Sequence, residues 1–437
     1  MEHSLNKTLI ILLSISPVGL FIIKGWVGTI HFLAFAISIF LISSNYISKI
    51  KQDHNKIFFS PIKQFNSPQD RFWIRLVTAM LVFPILAVYI SQLLRDTFFL
   101  PDFDGPSRFL LALPIFYIVI NNKADLFKYW QLTIAFAISI TFICIPWIPK
   151  YYGTNNELNN LRLGTYFVDP LTFGCLMLTF GLLLLFNLSL NKVKWPLTAF
   201  KLVSAALGIF LSLKSGSRTG WLALPFILPL LLWLYGPANK IKATFLSLLL
   251  TLFTLIALYG TSITVQHRIH EAVNDIKSYK IHSTNAETSL GERISFARMA
   301  WYYFKLNPLS GWGHDGFKTH YDDPEISVFA DANTRHHPAE GGLFHNELTT
   351  NMVAFGIGGI IYTCLLFFVP LALFIHYWRN GKNAHLCAFG VAYVICELAG
   401  SLSTEVFALK FTASFYALFI SCLCALVISN ENQQPSV

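Results

Sequence analysis

The residues with the most chemical potential in this chain of 437 lie in one polar stretch, 261–347, which sits between long apolar runs and holds eight of the thirteen histidines. It ends in His345-Asn346, and Gly356-Ile357-Gly358-Gly359 follows where the next apolar run begins. A neutral imidazole can take a proton near pH 7, so a histidine where a water-facing loop re-enters a membrane suits base chemistry at the bilayer surface. Three arginines form the second constellation: Arg218 in Lys214-Ser215-Gly216-Ser217-Arg218-Thr219-Gly220-Trp221, Arg293, and Arg162 in Arg162-Leu163-Gly164. A guanidinium never deprotonates and its planar fork makes paired hydrogen bonds to phosphate oxygens. At headgroup depth these groups suit a lipid pyrophosphate, or serve simply as headgroup anchors or surface ion pairs. His345 likewise reads either as a base or as a hydrogen-bonded polar group. His336-His337 read as a further substrate contact. Without an arranged set of other ligands they are poor evidence for metal, and no metal is expected.

Composition dictates what must position these residues. Hydrophobic residues make up 54% and charged residues 13%, with a mean hydropathy of +0.54, whereas a soluble domain carries roughly 25% charged residues. The chain reads as an all-α polytopic membrane protein with about twelve transmembrane helices and one large outward loop containing short helices, since about 20 apolar residues cross the hydrocarbon core. The runs fall near 9–23, 27–46, 74–94, 108–120, 129–148, 171–190, 196–213, 221–235, 243–260, 348–378, 384–400 and 405–428. The expected organisation is helices 1 to 9 over 1–260, the loop over 261–347, helices 10 to 12 over 348–428, and a polar tail at 429–437. Within the loop, 265–280 can be written as an amphipathic helix. A second helix over 290–306 would place Ile294, Ala297, Trp301 and Phe304 on one face and stop at Asn307-Pro308, and 310–345 reads as irregular. Gly356 and Gly359 are expected to let spans approach closely.

Lysine and arginine in short loops mark the cytoplasmic side. With the N-terminus inside, that side holds Lys49, Lys51, Lys56, Lys63, Arg71, Arg75, Lys123, Lys128, Lys192, Lys194, Lys240, Lys242, Arg379 and Lys382, and the opposite side about half as many. Most of the net +9 is therefore topological and implies no nucleic-acid partner. The first run lacks a small-residue cleavage site and leads straight into a second span, so it does not read as a cleavable signal. All seven cysteines fall in apolar runs, where a free thiol behaves as a small hydrophobe, which argues against a disulfide framework. Glu397, Glu405 and Lys410 are costly in lipid and point to function. The milder expectation is that Glu405 and Lys410 stabilise one another near the outer interface.

A family resemblance rests on specific residues. Ser289-Leu290-Gly291-Glu292-Arg293, Trp301, Pro308-Leu309-Ser310-Gly311-Trp312-Gly313-His314-Asp315-Gly316-Phe317, and His345-Asn346-x9-Gly356-x-x-Gly359 together resemble the signature of the O-antigen ligase family. Ser217-Arg218 and the segment from Arg162 to Pro170 are similar to that family's pattern as well. The similarity is dense from about 160 to 360, and the first 150 residues match only in hydropathy. The resemblance implies an inverting, metal-independent glycosyltransferase of the GT-C type, without cofactor, in the inner membrane of a Gram-negative bacterium. It would move a polysaccharide from an undecaprenyl-pyrophosphate-linked donor to lipid A–core at the periplasmic face. On that resemblance Arg218 and Arg293, with Arg162 as a third member, match the pyrophosphate-binding arginines and His345 the essential histidine. His336, His337 and Asn346 become possible substrate contacts. Polymerases and protein O-oligosaccharyltransferases share the signature, so an O-antigen or exopolysaccharide polymerase is the alternative, with another glycan as acceptor. A proton-coupled transporter is the rival from another class. Its even span count and intramembrane Glu fit, but the arginine and histidine loop fits it poorly and no paired halves stand out.

The basic-loop count makes a direct prediction. Topology reporters fused after Tyr46, Lys192 and Arg379 should report cytoplasm, and fusions within 265–340 should report periplasm. A cytoplasmic signal from the large loop would contradict this orientation.

Overall fold

The computed structural model describes residues 2–52, 67–122, 126–152, 162–188, 195–235, 240–261, 289–314, 316–341, 344–381 and 383–429, with four single positions between 262 and 288. The helices are α1 (Glu2–Ile15), α2 (Trp26–Gln52), α3 (Pro68–Leu94), α4 (Asp104–Asn121), α5 (Leu126–Cys144), α6 (Pro170–Leu183), α7 (Trp195–Ser215), α8 (Leu224–Tyr235), α9 (Lys240–Thr261), α10 (Ser289–Leu306), α11 (Ala332–Gly341), α12 (Glu347–Arg379), α13 (Ala384–Gly400) and α14 (Lys410–Ser429). Among the described residues, seven helices are long and apolar enough to cross a membrane, and three shorter apolar helices accompany them. The protein is an all-α polytopic membrane protein whose strands are confined, among the described residues, to one hairpin, β1 (Pro149–Tyr152) against β2 (Arg162–Thr165), antiparallel with Tyr152 opposite Arg162. The candidate amphipathic helix at 265–280 lies largely outside the described residues.

Local sequence sets several boundaries. Ser67 caps α3 and Asp169 caps α6, each accepting two backbone N–H groups ahead of a proline at the first helical position. The long α14 is buried along nearly its whole length and packs against α4 and α2 as the centre of the bundle. It begins at Lys410, later than the expected run at 405, because 401–409 forms turns instead. The first helix stops at Ile15 and continues as turns, short of the expected 23.

The feature that organises the end of the bundle carrying the polar loop is the interruption of α12. Gly356 has φ 60° and ψ −141°, a combination essentially reserved for glycine, and it divides the element into a short arm, 347–355, and a span, 357–379. The arm folds back on the span: Asn351 Nδ2 donates to Thr363 Oγ1 at 3.0 Å, and the Asn351 carbonyl lies where a Gly359 side chain would be. In an unbroken helix the Ile357 N–H would bond to the Val353 carbonyl. Here Ile357 N donates to Pro308 O at 2.8 Å, while Val353 O and Ala354 O accept from Trp312 N at 2.9 Å and Gly313 N at 2.8 Å. The segment 308–313 thus replaces the lost helical partners, which matters because an unpaired backbone group away from water costs about 1–3 kcal/mol. The approach is close on both sides. A Cβ on Gly311 would stand 2.5 Å from Ala354 O, and one on Gly356 would stand 2.5 Å from Pro308 O.

A second, smaller core fixes the loop onto this arm. Phe296, Met299, Ala300 and Tyr303 of α10 pack with Phe317, Phe329 and Phe344, and with Met352 and Val353 of the arm. This corrects the expected buried face of α10. Ala297 and Trp301 are exposed and Ile294 and Phe304 only half-buried, because the helix turns its 296/299/300/303 stripe inward. Residues 310–345 carry more helix than expected, namely short turns at Gly316–His320 and Pro324–Ser327 followed by α11.

Gly356→Ala combines a left-handed backbone cost of about 1–3 kcal/mol with a clash against the Pro308 carbonyl. It should lower the thermal midpoint of the purified protein by several degrees, whereas Gly28→Ala, with nothing within 4 Å of the new methyl, should leave it unchanged. Equal midpoints for the two variants would show that the break is not tightly held.

Candidate functional site

His345 sits at the head of the re-entrant arm, half-buried, in a turn where it adopts φ +50°. Positive φ is uncommon outside glycine, although histidine and asparagine tolerate it better than most. The surroundings hold it there. Thr350 Oγ1 donates to Glu405 Oε1 at 3.1 Å. Phe344 N donates to Thr350 Oγ1 at 3.0 Å, and Asn346 Oδ1 caps the arm by accepting Thr349 N at 3.1 Å. The ring of His345 lies against Phe296 of α10, centroids 5.8 Å apart. A second carboxylate, Glu347, is fully buried one residue beyond Asn346 and accepts Phe407 N at 2.8 Å and Asn351 Nδ2 at 2.5 Å. The 401–409 turns and the arm are therefore tied together by two acidic side chains that bind backbone, amide and hydroxyl donors.

This arrangement corrects the expected Glu405 to Lys410 pairing. Lys410 Nζ lies 2.7 Å from Asp104 Oδ2 instead, and Glu405 binds Thr350 of the arm. Sequence reasoning noticed Glu405 as an ionisable group but not its contact with the arm that His345 heads. Adjacency to the apolar run hid it, because the turn that brings it there contains no distinctive motif.

The arginines are placed by three neighbouring elements. Gly216, at φ +66°, ends α7, and the chain continues through Ser217 and Arg218 into the short 3-10 turn Thr219–Ala223. Ser217 is buried and its hydroxyl meets Cys175 Sγ at 3.4 Å, while Arg218 is exposed. Ser403 Oγ hydrogen-bonds Thr219 Oγ1, and Thr172 Oγ1 meets Thr404 Oγ1 at 3.3 Å, so the turn carrying Arg218 and the 401–409 turns that bind the arm headed by His345 share one polar layer. Arg293 enters from α10. Burial lowers its pKa from the ordinary arginine value, opposed by the neighbouring Glu292 charge.

Arg162 is close by with a different attachment. Its Nε donates to Ser215 O at 3.1 Å and its second terminal nitrogen to Gly216 O at 3.4 Å, which satisfies carbonyls at the end of α7. It braces the Arg218 turn. The ring of exposed His336 packs edge-on against Tyr321, centroids 4.4 Å apart. His337 lies on α11, and its side chain falls outside the described residues. Among the described residues there is no group of three His, Cys, Asp or Glu able to hold a metal ion.

Comparison with known proteins follows this geometry. A sequence profile of the O-antigen ligase family matches residues 202–364, from α7 through the polar stretch to the first turns of the α12 span, a range that contains Arg218, Arg293 and His345. A protein of Haemophilus influenzae described as uncharacterized is 25% identical over 401 residues, covering 88% of this chain and 93% of that one.

The Glu405 contacts generate a test. The Thr350 hydroxyl that accepts Phe344 N is itself held by Glu405, and such a hydrogen bond is worth about 0.5–1.5 kcal/mol, so Glu405→Ala should speed amide hydrogen exchange at Phe344 by about two- to tenfold, with the α14 amides unaffected. Unchanged exchange at Phe344 would show that the turn holds itself.

Proposed function

We propose, from the premise that the chain belongs to the O-antigen ligase family, that it is an inverting glycosyltransferase of the bacterial inner membrane. It moves a polysaccharide from undecaprenyl pyrophosphate to a hydroxyl of lipid A–core on the periplasmic side. The observation that carries this reading is the shared polar layer at one end of the bundle. There the Arg218 turn is hydrogen-bonded to the 401–409 turns, and Glu405 and Phe407 of those turns bind Thr350 and Glu347 of the re-entrant arm headed by His345.

In this reading Arg218 and Arg293 bind the pyrophosphate. As the bond between the anomeric carbon and the pyrophosphate oxygen breaks, the leaving group keeps the electron pair and gathers negative charge, which fixed cations stabilise more in the transition state than in the ground state. The acceptor oxygen attacks from the opposite face, its proton passes to the His345 imidazole, and the new glycosidic bond forms with inversion. The partial burial of Arg293 strengthens its attraction to the phosphates by lowering the local dielectric. Arg162 acts on the pyrophosphate through the turn that it braces, which gives it the smallest effect of the three.

A deletion strain tests the acceptor. Complete lipid-linked chains that never reach the core support a ligase, and a core bearing a single repeat supports a polymerase. Purified protein tests the roles. Arg218→Ala and Arg293→Ala should abolish transfer at normal protein levels, with lysine restoring it only partly because the paired fork is lost. His345→Ala should lose transfer by roughly 10²–10⁴, the usual worth of a general base, and His345→Gln nearly as much, while the native enzyme should work in EDTA. Near-native turnover by His345→Gln would place the base elsewhere, and abolition by EDTA with rescue by a divalent ion would require a metal.

A further inference from the structure

A second group of polar side chains plays no part in the chemistry above. The turn after α3 and the segment 307–314, with Gly316, enclose an open cavity of about 530 Å³. Asp102, only 1% exposed, forms its floor. Its Oδ2 lies 3.5 Å from an Arg95 terminal nitrogen and accepts Gln92 Nε2 at 3.1 Å, and its Oδ1 lies 3.7 Å from His314 Nδ1. None of Asp102 Oδ1, His314 Nδ1 and Arg95 Nε makes a hydrogen bond to the described residues. Gln92 also grips the turn from within, donating to Phe99 O at 2.8 Å and accepting Phe99 N at 3.2 Å. The Arg95 guanidinium occupies the space that a side chain on Gly313 would need. The rim is aromatic, with Phe98 70% and Phe99 45% exposed.

The chemistry of the lining selects a ligand class. Asp102 can only accept hydrogen bonds and Arg95 can only donate them, while His314 can do either according to its tautomer. A phosphate offers acceptors alone and carries a charge that Asp102 opposes, so the Arg95 and Asp102 pair makes a poor anion site. A sugar presents hydroxyls that both donate and accept, with apolar C–H faces that pack on aromatic rings. A concave site with a few converging polar groups and exposed rings matches it. We propose that this cleft is a saccharide-binding subsite that holds a glycan segment through Asp102, Arg95 and His314 against the Phe98 and Phe99 rings. The ring 307–313 that lines it also plugs the α12 break, so a glycan seated there rests on the segment that fixes the arm bearing His345. The glycosyltransferase reading supplies the choice of glycan, while the binding argument stands on the cleft.

Binding is measured on the full chain in detergent, by ligand-observed NMR and titration with two soluble probes: core oligosaccharide freed from lipid A, and repeat-unit glycan released from its lipid carrier. At least one probe should bind the native protein, with Asp102→Asn weakening it at least tenfold and Phe98→Ala at least threefold. Phe98 is exposed, so its variant keeps the test decisive even where Asp102→Asn destabilises the protein. A response confined to the core oligosaccharide assigns the cleft to the acceptor, and one confined to the released repeat assigns it to the donor chain. Failure of both probes to bind, or binding that neither substitution weakens, overturns the proposal. Because the readout is binding, native protein that binds a probe yet transfers no glycan would sink the ligase reading and leave the cleft standing.

Discussion

A helix that breaks must find new partners for the backbone groups that its interruption strands, and in this protein that constraint is met by one exchange. Val353 and Ala354 give their carbonyls to Trp312 and Gly313, and Ile357 gives its N–H to Pro308. Gly311 and Gly356 permit the contact because each occupies a backbone conformation that side chains avoid and each faces a main-chain atom where a methyl would stand. The short arm of α12 exists because of this exchange, and His345 sits at its head. The aromatic core of the loop grows from the same place, since Met352 and Val353 are members of it. The tie to the bundle is also made there, with Ser91 Oγ donating to Ser310 O at 2.5 Å.

Charge at this end of the bundle is used mainly to hold the turns in place. Glu347 accepts the Phe407 N–H, Glu405 accepts the Thr350 hydroxyl, and Arg162 donates to the last carbonyls of α7. Arg218 is exposed and Arg293 half-buried. Under the proposed function, cations carried on turns held in this way would need little reorganisation as charge develops. The polar layer linking Thr219 to Ser403 and Thr172 to Thr404 connects the arginine end to the histidine end through hydroxyls, so the two halves of the site share a frame although they come from distant parts of the chain.

Much of this was legible in sequence. Each long apolar run corresponds to a helix because burial in lipid leaves hydropathy as the dominant signal, and α10 was foreseen within one residue of its start. The face of α10 was misread: its stripe is shared among aromatic, methionine and alanine positions, and exposed Trp301 mimics a buried anchor. The spacing from Asn346 to Gly356 and Gly359 was visible but its meaning was not. Close approach was expected between spans, whereas these glycines let one element double back on itself. The Lys410 partner was missed because Asp104 lies some 300 residues away in sequence, and the Asp102, Arg95 and His314 group was missed for the same reason, since local pattern cannot register contacts between α3 and a distant loop.

The most direct measurement is a structure of the full chain with undecaprenyl pyrophosphate bound. Pyrophosphate oxygens within hydrogen-bonding distance of both Arg218 and Arg293, with the terminal phosphate that bears the sugar in the donor turned toward His345, is the result expected. A pyrophosphate seated elsewhere on the protein, with neither guanidinium engaged, would contradict the central claim that these two arginines and the head of the re-entrant arm form one site.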